Sequence, residues 1–453
     1  MVRESRVQPA GRSFWASRWT FILATAGSAI GLGNIWKFPY MTGVNGGSAF
    51  VLVFLVCIVL VGIPLMMCET MLGRRAQRNP ADGMAALAAE AGASRFWRWT
   101  GYLGIVTGVL ILAFYSVIGG WVVSYIFRTL QGSFTGGNAD LVKLTFDGML
   151  ASIPTLVLWH SVFTFMTVWV VARGVNHGLE KANKILMPSL FFILLVVLGY
   201  SMVRGNFMQA LQFMFRPDFS KVTSLAALSA LGHAFFSLSL GMGVVMVYGS
   251  YLQRHISIVR TAILIAVADT AVGLLVGLAI FALVFANQLL PGEGPGLIFQ
   301  TLPIAFGRMW GGQYIGALFF VLVAFAAWTS SISLIEPAVA WMTENSAISR
   351  KRAAFLVGFT GWALGLSVVL SFNRWQDVQL AFGLGIFDTL DKLTTVILLP
   401  LGGLLMAIFA GWVMRTEHVQ DELGLNRIAY RIWRFIIRYL SPLAILAIFA
   451  SLL

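Results

Sequence analysis

Gly27-Ser28-Ala29-Ile30-Gly31-Leu32-Gly33-Asn34 stands in the middle of an apolar stretch covering residues 17 to 42, and Ser237-Leu238-Ser239-Leu240-Gly241-Met242-Gly243 stands in the middle of another covering 223 to 253. Each stretch has the roughly twenty apolar residues that a helix needs to cross a bilayer. Glycine lowers the cost of leaving the α region, so both helices can unwind halfway along. Amides and carbonyls released into hydrocarbon must find partners, and such breaks persist only where they line a cavity. Two breaks at corresponding depths therefore predict a binding site near the middle of a membrane. On the pattern alone a second reading stays open, in which Gly and Ser only let helices pack closely.

The rest of the chain agrees with a membrane as its solvent. Of 453 residues 58% are hydrophobic and 11% charged, with a mean hydropathy of +0.84, a composition outside that of soluble globular domains. The formal charge of +13 would suggest nucleic acid in a soluble protein, but the basic residues lie mostly in loops on one side of the predicted spans. Nucleic acid is therefore not expected as a partner; the lipid bilayer is. Arg3, Arg6, Arg12 and Arg18 precede the first apolar stretch without a short hydrophobic region ending in a cleavage site, so no cleaved signal is expected. Cys57 and Cys68 share one apolar run and read as small buried hydrophobes.

About eleven spans are predicted, at 17 to 42, 46 to 73, 100 to 130, 151 to 173, 183 to 204, 223 to 253, 258 to 288, 313 to 343, 353 to 372, 376 to 413 and 430 to 453. The fold class is all-α and polytopic. With the N terminus in the cytoplasm, about twenty-two of the 31 Lys and Arg, Arg74, Arg75, Arg350, Lys351 and Arg352 among them, fall on the cytoplasmic side. The two breaks are five spans apart, which fits an inverted repeat: a cytoplasmic segment 1–16, a first repeat 17–204, a second 223–413, and the last span, 430–453, outside it. The Gly- and Pro-rich stretch 287–312 reads as an ordered extracellular loop carrying a short helix.

At the residues of the breaks the chain resembles the neurotransmitter:sodium symporter family in its bacterial, amino acid-transporting form. The resemblance spans nearly the whole chain and rests on an ordered set of motifs: Gly31-Leu32-Gly33-Asn34-Ile35-Trp36-Lys37-Phe38-Pro39-Tyr40, Asn45-Gly46-Gly47, Gly62-Ile63-Pro64-Leu65 with Glu69 and Gly73-Arg74, Phe236-Ser237-Leu238-Ser239-Leu240-Gly241, Gly294-Pro295-Gly296-Leu297 and Thr329-Ser330-Ser331. The family usually has twelve spans, and eleven-span bacterial members belong to its pattern.

The resemblance implies two sodium ions and a small amino acid substrate. Sodium prefers several oxygens gathered in one place, and broken helices supply carbonyls. One implied site uses the carbonyl of Ala29, the side chains of Asn34, Ser237 and Asp269, and the substrate carboxylate; the other uses the carbonyls of Gly27, Ile30 and Ala326 with the hydroxyls of Thr329 and Ser330. The family usually has Asn at the position of Asp269 and, one turn on, a chloride-binding Ser or an acidic residue, where this chain has Gly273. Asp269 is therefore expected to supply the compensating negative charge and make transport chloride-independent; a protonated Asp bonded across helices is the alternative. For the substrate the resemblance points to the loosened backbone at Ala29, Gly31 and Gly33 with Tyr115, and to a lining of Ser28, Ile111, Phe236, Ser237, Ser239, Met242, Ser330 and Leu334. Amine-transporting relatives carry Asp where this chain has Gly31, so a zwitterion is expected, and the mainly apolar lining points to a hydrophobic amino acid.

Lys37 and Asp391 match the family's outer charged pair, with Tyr115 and Phe236 as a lid beneath and Asp388 one turn away. Arg12, Trp15, Tyr251 and Glu344 match its cytoplasmic latch, although Arg12 and Trp15 also read as snorkelling interfacial residues. Glu69 resembles a Glu that bonds the second break, Glu336 reads similarly, and His233 replaces a Gln that supports the outer gate. The expected function is sodium-coupled uptake by alternating access across a bacterial-type inner membrane. Export or uptake of another small zwitterion, or a sensor that binds without cycling, are the alternatives. No enzyme, nucleotide or organic cofactor is expected: Gly31-Leu32-Gly33 lies within a span and not after a strand, and the five histidines have no metal-ligand spacing.

Overall fold

A computed structural model describes residues 14–216, 218–290 and 296–450. Arg12, Gly294 and Pro295 lie outside the described residues, as do the other arginines before residue 14. Nine helices among the described residues are long and apolar enough to cross a membrane: Ser48–Ala76, Arg95–Leu130, Ile153–Ala172, Val175–Arg204, Ile258–Ala286, Gly312–Asn345, Arg350–Ser371, Ile386–Val413 and Arg427–Ala450. The first and sixth predicted spans are instead in pieces. Arg18–Ala29 and Phe38–Val44, the latter preceded by a widened turn at Gly33–Lys37, flank the first break. Ser224–Ser237 and Val244–Ser250 flank the second.

Several helix ends shift from their predicted places. The last-but-one span begins at Ile386 and not at 376, because the polar stretch before it folds into turns with one 3₁₀ turn at Ala381–Gly383. The fifth begins earlier, at Val175, with a π-helical turn. Four connecting helices were not anticipated: Pro80–Glu90, Ala139–Ala151, Phe207–Phe215 and Thr416–Leu423. Three of them carry a legible start signal, since Asn79, Asn138 and Asn206 each accept a hydrogen bond from an amide of the first turn. The loop before Gly312 holds the expected short helix, Leu297–Thr301 continuing as Leu302–Arg308. Cys68 is buried as expected, whereas Cys57 is only partly so.

Proline shapes many of these helices. The π-helical turns Gly33–Lys37, Ile58–Gly62, Leu297–Thr301, Leu393–Leu398 and Ile436–Leu440 each end two residues before a proline: Pro39, Pro64, Pro303, Pro400 and Pro442. A proline ring clashes with the carbonyl four residues earlier and offers it no N–H. Widening the turn relieves the clash and leaves that carbonyl for another donor. The Phe299 carbonyl, four residues before Pro303, accepts from the Tyr125 hydroxyl at 3.0 Å, and the Arg438 carbonyl, four before Pro442, accepts from the Trp412 indole at 3.4 Å.

Glycines bring the second break against its neighbour. A methyl on Gly73 would stand 1.8 Å from the Met246 carbonyl oxygen, and one on Gly249 would stand 2.6 Å from that of Thr70. The Val244–Ser250 fragment is thus pressed backbone to backbone on the Ser48–Ala76 helix. At the end of that helix Arg74 pairs with Glu422 at 2.8 Å and Arg75 with Glu90 at 2.5 Å, joining two of the connecting helices to it.

Candidate functional site

The first break opens at Ile30, whose backbone turns extended (φ −71°, ψ 93°) after Ala29. The amides it releases are taken up by side chains: Gly31 N–H by Asn34 Oδ1 at 3.3 Å and Leu32 N–H by the Tyr115 hydroxyl at 3.0 Å. The carbonyls it releases converge on one hydroxyl. Ser330 Oγ lies 3.2 Å from the Gly27 oxygen, 3.0 Å from that of Ser28 and 3.4 Å from that of Ile30. The second break passes through Ser239, Gly241 and Gly243, all with positive φ (54°, 83° and 75°). Gly241 could carry no side chain, since a methyl there would meet the Leu399 oxygen at 2.0 Å, and its N–H donates to Glu69 Oε1 at 2.6 Å. Ser239 closes the two breaks on each other by donating to the Ser28 carbonyl at 2.9 Å.

Around this crossing the residues singled out in the sequence fall into two polar clusters and a cavity. Asn34, Ser237 and Asp269 form the first cluster, all buried. Asn34 donates to Asp269 Oδ1 at 2.8 Å and to its carbonyl at 3.0 Å, while Ser237 donates to Asp269 Oδ2 at 2.5 Å. Gly27, Ala326, Thr329 and Ser330 gather in the second. Thr329 donates to the Ala326 carbonyl at 3.1 Å, and a methyl on Gly27 would be 3.2 Å from Thr329 Cβ. Both clusters assemble neutral oxygens, with one carboxylate between them, as a hard monovalent cation requires.

The cavity is lined by Ser28, Ala29, Gly31, Gly33, Ile111, Tyr115, Phe236, Ser239, Met242, Ser330 and Leu334, and has a free volume of about 20 Å³ in this conformation. Ser237 is turned away from it toward Asp269. Larger clefts, about 570 Å³ beside Ser152 and Arg374 and about 180 Å³ beside Phe134 and Tyr314, lie at helix ends away from both breaks. Two site residues were missed. Ser333 donates to Ser28 Oγ at 2.8 Å, and its spacing of three from Ser330 on one helix face was the available signal. Asn183 presses its Oδ1 against Gly27, 2.3 Å from where a methyl would stand, and no sequence pattern pointed to it.

On one side of the cavity Lys37 Nζ is 3.2 Å from both Asp391 oxygens and 4.9 Å from the centre of the Phe236 ring. Both partners of the pair are partly exposed, at 20% and 34%. Such a pair contributes about 1 kcal/mol or less, so Asp391→Asn is expected to speed ligand dissociation by no more than about fivefold, read by washout of labelled ligand. His233 sits among the rings of Phe38, Phe50 and Phe54, at 5.9, 6.3 and 5.3 Å.

On the opposite side Trp15 is fully buried, which excludes the snorkelling interfacial reading for it. Its indole donates to the Tyr248 carbonyl at 3.0 Å and its backbone N–H to that of Tyr251 at 3.1 Å. The Tyr251 hydroxyl donates to Glu336 at 2.8 Å, and Arg350 grips the same carboxylate at 3.0 and 2.5 Å. Glu344 accepts from the backbone and side-chain nitrogens of Asn79, both at 2.8 Å, and so holds the start of the Pro80–Glu90 helix.

A bundle of membrane-length helices, two of its members broken around a central polar cavity with closed contacts on either side, defines a secondary transporter and not an enzyme. The chain belongs to the sodium:neurotransmitter symporter family, whose model matches residues 12–141 and 142–453. It is a sodium-dependent symporter of that family. It is 38% identical over 443 residues to the sodium-dependent transporter YhdH of Bacillus subtilis, covering 97% of each chain. A sodium-dependent transporter of Haemophilus influenzae is 34% identical over 449 residues, covering 97% of this chain and 98% of its own. Among solved structures it resembles MhsT in complex with L-phenylalanine, with a TM-score of 0.91 and 40% identity over 98% of this chain and 100% of that one.

Proposed function

We propose that this symporter carries a neutral, hydrophobic amino acid into the cell with two sodium ions and without chloride. The observation that carries this reading is that Gly31, at the crossing of the two breaks, brings no side chain or charge into a cavity whose other walls are mostly apolar. A substrate carboxylate entering there would exchange with Asn34 and Tyr115 for the Gly31 and Leu32 amides and accept from the Tyr115 hydroxyl, and the Asn34–Asp269 cluster stands beside the same break for the first sodium. The Ser330 hydroxyl among three carbonyls supports a second sodium position. The solved relative's complex with L-phenylalanine supports a hydrophobic substrate. Asp269 is the fixed negative charge that replaces chloride.

The two halves, 17–204 and 223–413, act as an inverted repeat, with the last span outside it and the N terminus in the cytoplasm of a bacterial-type inner membrane. Sodium binding holds the outward-facing form, substrate completes the first sodium position, Lys37 and Asp391 close, and the latch around Trp15 and Tyr251 opens. Each charge crossing 100 mV contributes about 2.3 kcal/mol, so two ions supply about 4.6 kcal/mol for concentration of substrate.

Purified protein in liposomes, given labelled phenylalanine or leucine and an inward sodium gradient, is expected to accumulate substrate, whereas an equal potassium gradient gives none. Replacing chloride by gluconate at constant sodium leaves the rate unchanged. Abolition by gluconate would remove the role given to Asp269. Sodium-dependent binding without accumulation would replace the transporter reading by that of a sensor.

A further inference from the structure

We propose that the last helix, Arg427–Ala450, binds one anionic phospholipid, its phosphate held by an arginine stripe and its acyl chains lying on an adjoining apolar stripe. The inference needs only that the chain spans a bilayer, and is independent of substrate, ion count and orientation.

Successive residues of an α-helix are about 100° apart, which places Arg427, Arg431, Arg434 and Arg438 within about 60° of one another on one face. On the same scale Ile428, Ile432, Phe435 and Tyr439 form a second stripe beside the first, and all four are exposed. The face across the helix, with Tyr430, Trp433 and Ile437, is buried in the bundle. The outer side of this helix is thus divided lengthwise into a cationic and an apolar strip.

The arginines divide into two that are fixed and two that are open. Arg438 donates to the Gly411 carbonyl and lies over the Trp412 ring at 4.7 Å; Arg434 donates to the Thr416 hydroxyl and, at 2.9 Å, to that of Tyr430. Their guanidinium groups are held in place by neutral partners, so their charge is not cancelled. Arg427 and Arg431 are exposed. None of the four pairs with a carboxylate among the described residues, in contrast to Arg74, Arg75 and Arg350, each of which grips one. Snorkelling alone explains a cation reaching for water, but not four uncompensated guanidinium groups aligned on the strip next to exposed Ile, Phe and Tyr. A phosphodiester joined to acyl chains complements both strips at once, and a soluble anion would leave the apolar one bare.

The test is native mass spectrometry of the whole protein, washed free of lipid in detergent and titrated with phosphatidylglycerol or phosphatidylcholine. The wild type is expected to retain one phosphatidylglycerol with a preference of at least about fivefold over phosphatidylcholine, undisturbed by excess inorganic phosphate. The R427Q/R431Q double variant is expected to lose that preference while phosphatidylcholine adducts stay unchanged, with sodium-dependent ligand binding as the check on its fold. Equal retention of the two lipids by the wild type overturns the proposal without reference to any variant. So does displacement by inorganic phosphate, or an undiminished preference in the folded double variant.

Discussion

Gly31→Ala is expected to lower sodium-driven uptake at least about a hundredfold without unfolding the bundle. The added methyl would stand 2.4 Å from Ser330 Oγ and 2.6 Å from the Tyr115 hydroxyl. Side chains can often swing away from such an intrusion, but both of these are tethered. Ser330 is tied to the carbonyls of Gly27 and Ser28, and Tyr115 to the amide of Leu32. Moving either leaves part of the first break without its partner in a region that water does not reach. Overpacking costs about 1–3 kcal/mol and an orphaned buried polar group about as much again; at 1.4 kcal/mol per factor of ten, about 3 kcal/mol is a hundredfold. The check is uptake and equilibrium binding measured on the same preparation, with thermal unfolding alongside. Uptake within about threefold of wild type would show that the methyl is accommodated and that Gly31 does not shape the substrate position.

Asp269→Asn is expected to weaken apparent sodium affinity by about a hundredfold to several thousandfold. The side chain is fully buried and accepts from Asn34 and Ser237 at its two oxygens. The amide keeps the shape but removes the charge and turns one acceptor into a donor facing a donor. Removing one partner of a buried charge pair costs about 3–5 kcal/mol, and the partner here is the proposed ion. The same logic predicts a rescue. A methyl on Gly273, one turn further on, would meet nothing closer than 3.6 Å, so there is room to begin a side chain at that position. Gly273→Glu in the Asp269→Asn background is expected to recover sodium affinity to within about tenfold of wild type. If the double variant is no better than the single one, the charge at Asp269 acts through its hydrogen bonds and not as a counter-ion.

The membrane class, the positions of most spans and both breaks were legible because they follow from local physics. Twenty apolar residues report a span wherever they occur, and glycines clustered within one report where its backbone can leave the helix. The connecting helices were less legible. They are too short for a hydropathy signal, and three of the four had a single capping asparagine as their cue, Asn79, Asn138 and Asn206. The prolines that widen the helical turns were visible as residues, but a carbonyl one of them releases, that of Phe299, found its donor as far away in sequence as Tyr125.

What the sequence by itself determined is that this chain lives in a bilayer and carries clustered glycines and serines at corresponding depths of two of its spans; sodium and a zwitterionic substrate came from the family resemblance and not from composition. Local composition suffices for the bilayer and the clusters, because the bilayer imposes the same demand on every segment. Only the tertiary structure decided which groups face the broken backbone: the Ser330 hydroxyl within reach of three carbonyls, Tyr115 and Asn34 for two amides, Gly241 as the donor to the expected Glu69, and Glu336 as the acceptor of the Tyr251 hydroxyl at 2.8 Å. Ser333 and Asn183 joined the site in the same way. Each of these pairings spans helices far apart in the chain, and hydrogen bonding depends on a few tenths of an ångström that only the packed bundle sets.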